Sequence, residues 1–141
     1  MEIKDAQVEN YDEILFRMNR YFQCNFMTGG QGQMNIMIAS DIHGSAFYCS
    51  KLMEAFEREG ADRLLLLGDL LYHGPRNDLP KDYAPKGVLH MLNEKKQKIF
   101  CVRGNCDTEV DQMVLEFPIL ADYAILEAET RLIYATHGHV F

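Results

Sequence analysis

The sequence predicts an α/β fold built on a parallel sheet, and three observations carry that expectation. Short apolar runs at Asn35 to Ser40, Arg63 to Leu67 and Lys98 to Val102 have strand length. Stretches with helical spacing separate them. Each run leads into a cluster of ligand-type residues, which is where an open α/β sheet exposes its functional loops.

Taken in order, Met1 to Gln33 reads as an N-terminal extension (1–33) ahead of the main domain (34–141). Tyr11, Ile14, Leu15, Met18, Tyr21 and Phe22 recur at steps of three and four, predicting an amphipathic helix from Glu9 to Gln23. Thr28-Gly29-Gly30-Gln31-Gly32-Gln33 has the composition of a flexible linker. A docking helix or oligomer contact, an altered start and an added leader all remain open origins for this extension, and Met34 can itself be a start residue.

The run Asn35 to Ser40 is the first strand of the main domain. Ala46 to Gly60 follows as a helix with Leu52, Met53 and Phe56 directed inward and Gly60 as its stop. Arg63 to Leu67 is the next buried strand. A Pro-punctuated loop then reaches Pro85, which is tolerated in the first turn of a helix over Pro85 to Lys95. Lys98 to Val102 is the third strand, and Ala124 to Glu127 with Leu132 to Ala135 forms a hairpin about residues 128–131. Strand, helix, strand alternation implies right-handed parallel crossovers, which bring the strand carboxyl ends to one edge of the sheet.

Composition narrows the function classes. A chain of 141 residues, 48% hydrophobic, is long enough for one core, and a formal charge of -7 gives no basic field for a nucleic-acid polymer. Cys24, Cys49, Cys101 and Cys106 are scattered, with no C-x-x-C, which fits reduced thiols in a cytoplasm better than a disulfide framework. No apolar run approaches the roughly 18 residues of a membrane span, and the first residues lack the pattern of a signal peptide.

The loops at the sheet edge carry Asp41-x-His43, Gly68-Asp69, Gly104-Asn105-Cys106-Asp107 and Thr136-His137-Gly138-His139. Carboxylate and amide oxygens with imidazole nitrogens suit manganese, iron, zinc or magnesium, so the spacing points to a metal site assembled from several loops. A Rossmann nucleotide module needs G-x-G-x-x-G after its first strand, where this chain has Asp41-Ile42-His43-Gly44.

In their order and content these motifs resemble the calcineurin-like metallophosphoesterases, whose pattern runs D-x-H, G-D, G-N-[H/C]-[D/E], a later H and a final G-H-x-H. Leu66 to Asn77 and Val102 to Asp107 are similar to the YfcE-type bacterial phosphodiesterases of that family. The likeness runs from Met34 to Phe141. It implies a β-sandwich flanked by helices, here a partial one, since further strands and the terminal G-H-x-H do not appear by Phe141.

The resemblance also implies two divalent metal ions, manganese first, with iron, zinc, nickel and magnesium also compatible. Asp69 would bridge them, Asp41 and His43 would complete one site, and Asn105 and His137 would serve the other. The implied reaction is hydrolysis of a phosphoester, a small phosphodiester ahead of a phosphomonoester, by attack of a metal-bridging hydroxide. The rival reading is a truncated, inactive remnant serving as a metal-binding or interaction module. Homo-oligomers are compatible with the resemblance.

Six residues carry further expectations. Arg103, just upstream of Asn105, is suited either to a bidentate phosphate contact or to a surface ion pair. Asn105 itself is placed to touch both metal and phosphate. Cys106 stands where many relatives have His, as a weaker acid for the leaving oxygen or as a packing thiol. His73 is read as lining the cleft or serving its own loop, His90 as solvent-facing, and His139 as orienting His137 or packing its loop.

Overall fold

The structure is a computed structural model that describes residues 3–6, 21–27, 33–128 and 131–140. A five-stranded sheet runs in the order β1 (Ile3–Ala6), β2 (Tyr21–Met27), β3 (Gln33–Ala39), β4 (Arg63–Leu66) and β5 (Ile99–Cys101). β3, β4 and β5 are parallel, as expected from the strand and helix alternation. β1 and β2 are antiparallel additions at the β3 edge, so the sheet is mixed.

That edge corrects one expectation. Residues 9–20 of the expected helix, and residues 28–32 of the expected linker, lie outside the described residues. Tyr21, Phe22 and Gln23, assigned by spacing to the end of that helix, belong to β2. Phe22, Cys24 and Phe26 alternate with Gln23 and Asn25, a period of two that overlaps the last steps of the helical stripe. Pairing decides between the two periods. The register sets Phe22 opposite Ile38, Cys24 opposite Ile36 and Phe26 opposite Met34. Gln33, the last residue of the expected linker, opens β3.

Two helices cover one face of the sheet. Ser45 caps α1 (Ala46–Arg58) by accepting from the Tyr48 N–H, and Gly60, at φ 62°, takes the left-handed turn that stops it. Pro85 opens α2 (Pro85–Glu94), where its missing N–H costs no helical bond. Cys49, Leu52 and Phe56 of α1 and Val88 and Leu92 of α2 pack with Met37, Ala39, Leu64 and Leu66 of the sheet.

The other face is covered by a hairpin, β6 (Ala124–Ala128) and β7 (Arg131–Ala135). Ala135 packs against Ile36 and Leu65, with Leu126 and Ile133 around them. Alternation along β3 and β4 therefore serves two cores, one under the helices and one under the hairpin. The result is the helix, sheet, sheet layering of a sandwich, with β7 delivering its carboxyl end beside those of β3, β4 and β5. A short helix, α3 (Glu109–Val114), was not anticipated from the sequence; Thr108 and Asp111 form its capping box. Among the described residues no helix is long and apolar enough to cross a membrane.

Candidate metal centre

Four loops meet at the carboxyl ends of β3, β4, β5 and β7. The first two run side by side as a continuation of the parallel ladder: Asp41, His43 and Gly44 donate their N–H groups to the carbonyls of Gly68, Asp69 and Leu70 at 2.8–2.9 Å. Three non-glycine residues in these loops have left-handed backbone: Asp41 at φ 61°, His43 at φ 47° and Asp69 at φ 58°. That conformation costs about 1–2 kcal/mol per non-glycine residue, so the surrounding hydrogen bonds hold strain at the residues that carry the site.

The third loop approaches the second more closely than a side chain would allow. A Cβ on Gly104 would lie 2.1 Å from Asp69 Oδ1, and a Cβ on Gly68 would lie 2.1 Å from the Gly104 nitrogen. Two glycines thus face each other across the junction. Asp107 locks it: buried at 2% exposure, its Oδ2 accepts from the Asp69 and Gly104 N–H groups at 2.8 Å each, and its Oδ1 accepts from Leu70 N–H at 2.9 Å. The sequence reading passed over Asp107, although a carboxylate three residues beyond a strand-end glycine is a known acceptor for loop N–H groups.

Within this frame the expected ligands converge. His43 Nε2 lies 3.4 Å from Asp41 Oδ1 and 3.6 Å from Asp69 Oδ2. His137 Nε2 lies 3.5 Å from the same Asp69 oxygen and 3.0 Å from Asn105 Oδ1. One carboxylate oxygen therefore stands between two imidazoles. Ligand atoms of Asp41, Asp69 and His137 fall within 4.8 Å of one another.

The donor chemistry of this cluster fits a cation. His43 Nδ1–H donates to the Tyr72 carbonyl at 2.7 Å, and His137 Nδ1–H donates to the Leu67 carbonyl at 2.8 Å. In its neutral form each ring then leaves Nε2 as the acceptor on the side of the carboxylates, the arrangement that metal-binding histidines adopt. His137 Nε2 and Asn105 Oδ1 are two acceptors at 3.0 Å, which a cation between them reconciles.

Comparison with known proteins shows the family. The family model for calcineurin-like phosphoesterases matches residues 34–139. The chain belongs to that family. Phosphodiesterase YfcE of Escherichia coli strain K12 and the protein of the same name from strain O157:H7 are each 51% identical over 108 residues, covering 77% of this chain. The chain spans 59% of the length of these curated relatives. A solved structure of Yfce, a phosphoesterase from E. coli, superposes with a TM-score of 0.74 at 51% identity, covering 75% of this chain and 58% of that one. The helix, sheet, sheet arrangement described above is therefore that of a calcineurin-like phosphoesterase.

The remaining expected site residues sit at the rim. Arg103 donates from Nε to the Asp107 carbonyl at 3.2 Å and lies 3.6 Å from Glu109, so much of its guanidinium is already engaged. Cys106 donates its backbone N–H to Asp69 Oδ1 at 2.7 Å, and its Sγ accepts from Asn105 Nδ2 at 3.2 Å. Burial, then the carboxylate of Asp69, push its thiol up to about 12. His73 packs edge-on between Tyr72 and Tyr83, and His139 lies edge-on to His137 at 5.2 Å. His90 is exposed and pairs with Glu94 one helical turn on, so it stands apart from the centre.

The pair Asp41 and His43 predicts opposite pH dependences for stability and for metal affinity. Burial lowers the His43 pKa, but the Asp41 hydrogen bond, the Tyr72 carbonyl and the two carboxylates outweigh it and hold the ring above its ordinary value. Burial raises Asp41, and its bonds to His43 and Ser40 with the charge of His137 outweigh that, holding it low. In chelator, the His43 contribution to stability is full below its unfolded pKa of about 6.5 and is lost as pH rises through the folded value. The Asp41 contribution is present above its unfolded pKa and is lost as pH falls through the folded one. Manganese affinity should run the other way across the His43 range, rising with pH as the competing proton leaves. Calorimetric titrations across that range check it; affinity independent of pH would contradict the assignment of His43 as a ligand.

Proposed function

We propose that this domain hydrolyses phosphoesters, small phosphodiesters first, at a dinuclear centre held by Asp41, His43, Asp69, Asn105 and His137. The observation that carries this reading is the Asp69 carboxylate set between two imidazoles whose N–H groups are turned away onto backbone carbonyls. The name phosphodiesterase borne by the YfcE relatives supports the substrate class. When bound, two divalent cations, manganese foremost among them, supply charge neutralisation for the phosphoryl oxygens and a nucleophile at neutral pH.

The chain's own residues supply the rest. Asp69, fixed by the Cys106 N–H on Oδ1, keeps Oδ2 free as the shared ligand. Asp41 with His43 forms one side, and Asn105 with His137 the other. Asn105, exposed beside His137, would meet an entering phosphate, and Arg103 would add positive charge at that rim. Cys106 stays protonated at neutral pH, the form a proton donor needs, but it is a weak acid for a departing alkoxide. A Cys106→His substitution should therefore raise kcat/KM on alkyl diesters by about tenfold or more, with less gain on aryl diesters, since general acids contribute about 10²-fold or more. Equal effects on both substrates would remove Cys106 from that role.

The reaction itself is tested with a bis-aryl phosphodiester and added manganese. The chain should hydrolyse it, and Asp69→Asn should abolish the activity. Metal bound without hydrolysis would reduce the chain to a metal-binding module. Three free thiols among the described residues, at Cys49, Cys101 and Cys106, accord with a reducing cytoplasm as its compartment.

A further inference from the structure

The centre has a thiol at its wall that the proposed hydrolytic ligand set leaves unused. Cys106 Sγ, a ring nitrogen of His43 and a carboxylate oxygen of Asp69 lie within 4.8 Å of one another. The His43 atom available to this group is Nε2, because Nδ1 is committed to the Tyr72 carbonyl. Cys106 is not free to swing away with its backbone, since its N–H is bound to Asp69 Oδ1. Gly74 borders the sulfur as well: a Cβ added there would lie 3.5 Å from Sγ, an ordinary van der Waals contact.

We propose that the centre has a second ligation mode, in which a thiophilic divalent cation such as zinc is held by Cys106 Sγ, His43 Nε2 and Asp69. This rests on the reading of Asp69 and His43 as metal ligands. Sulfur, nitrogen and oxygen at about 2.3, 2.1 and 2.1 Å make the mixed donor set that zinc accepts, with a fourth position open to water. Manganese gains nothing from a thiolate and keeps the oxygen-rich set of Asp41, Asp69, Asn105 and the histidines. Binding in the soft mode forms one sulfur–metal bond and releases the thiol proton to solvent, with no change in oxidation state. It also withdraws Cys106 from the leaving-group side, so zinc would act on this site as a brake.

The test uses the full chain, with cobalt, zinc and manganese each added alone. Cobalt should give a sulfur-to-metal charge-transfer band in the near ultraviolet, and Cys106→Ser should lose that band while keeping the visible d–d bands of bound cobalt. Loss of a ligand should weaken zinc at least as much as loss of an outer partner does, about tenfold or more, while manganese affinity stays within about twofold. Circular dichroism of the variant verifies that it is folded. Bound cobalt with no charge-transfer band, or a band that survives in Cys106→Ser, overturns the soft mode alone. Failure of all three metals to bind overturns the metal centre itself, and the soft mode with it.

Discussion

Asp107→Ala should destabilise the domain by about 4 kcal/mol and abolish tight metal binding, although the Asp107 carboxylate is spent on backbone N–H groups and is not itself in the proposed ligand set. Its two oxygens receive the N–H groups of Asp69, Leu70 and Gly104, all inside the protein. An N–H left buried without an acceptor costs about 1–3 kcal/mol, and three neighbouring losses sum incompletely. Against a typical stability of about 5–15 kcal/mol, that is a large share. Asp69 would be released from the left-handed conformation in which it presents its carboxylate. Asp107→Asn keeps the shape but turns an amide NH₂ toward N–H donors, and should fall between alanine and wild type. Urea midpoints in chelator, read beside manganese isotherms, measure both effects; an alanine variant with an unchanged midpoint would show that the junction is held by something else.

Gly104→Ala should be nearly as damaging, by an opposite route. Here nothing is removed, yet the new methyl would lie 2.1 Å from Asp69 Oδ1 and 2.4 Å from the Asp69 nitrogen. Neither atom can yield cheaply, because the nitrogen donates to Asp107 and the oxygen accepts from Cys106. Overpacking of this kind costs about 1–3 kcal/mol, and the upper end applies where backbone is the obstacle. Manganese affinity should fall even under conditions where the variant is fully folded by circular dichroism. Retained affinity would mean that the Asp69 and Asn105 loops tolerate separation, contrary to a site that spans them.

These two residues also mark where the sequence stopped being readable. The candidate ligands were legible as a group, because Asp41, His43, Asp69 and Asn105 each follow a strand of the parallel ladder, which brings such ends together, while His137 follows β7 of the hairpin packed on the other face. The three parallel strands and α1 and α2 were legible for the same reason, since apolar period and stop signals agree along them. Asp107 was less so, because only its bond to the Gly104 N–H is local, and the partners on Asp69 and Leu70 lie far away in the sequence. The start of β2 was misread where two periods overlap, and its pairing with β1 and β3 is what favours a strand. The placement of the hairpin on the second face was equally invisible: Leu126 and Ile133 show which side is apolar, but not which sheet face receives it.

Metal stoichiometry tests the central claim most directly, since it reads the centre without requiring turnover. The chain, stripped with chelator and titrated with manganese, should bind about two ions, the number a carboxylate shared between two imidazole-bearing groups implies. Asp69→Asn should lose that binding while remaining folded. The same stoichiometry and affinity in both proteins, or no manganese bound by either, would contradict a centre organised on Asp69.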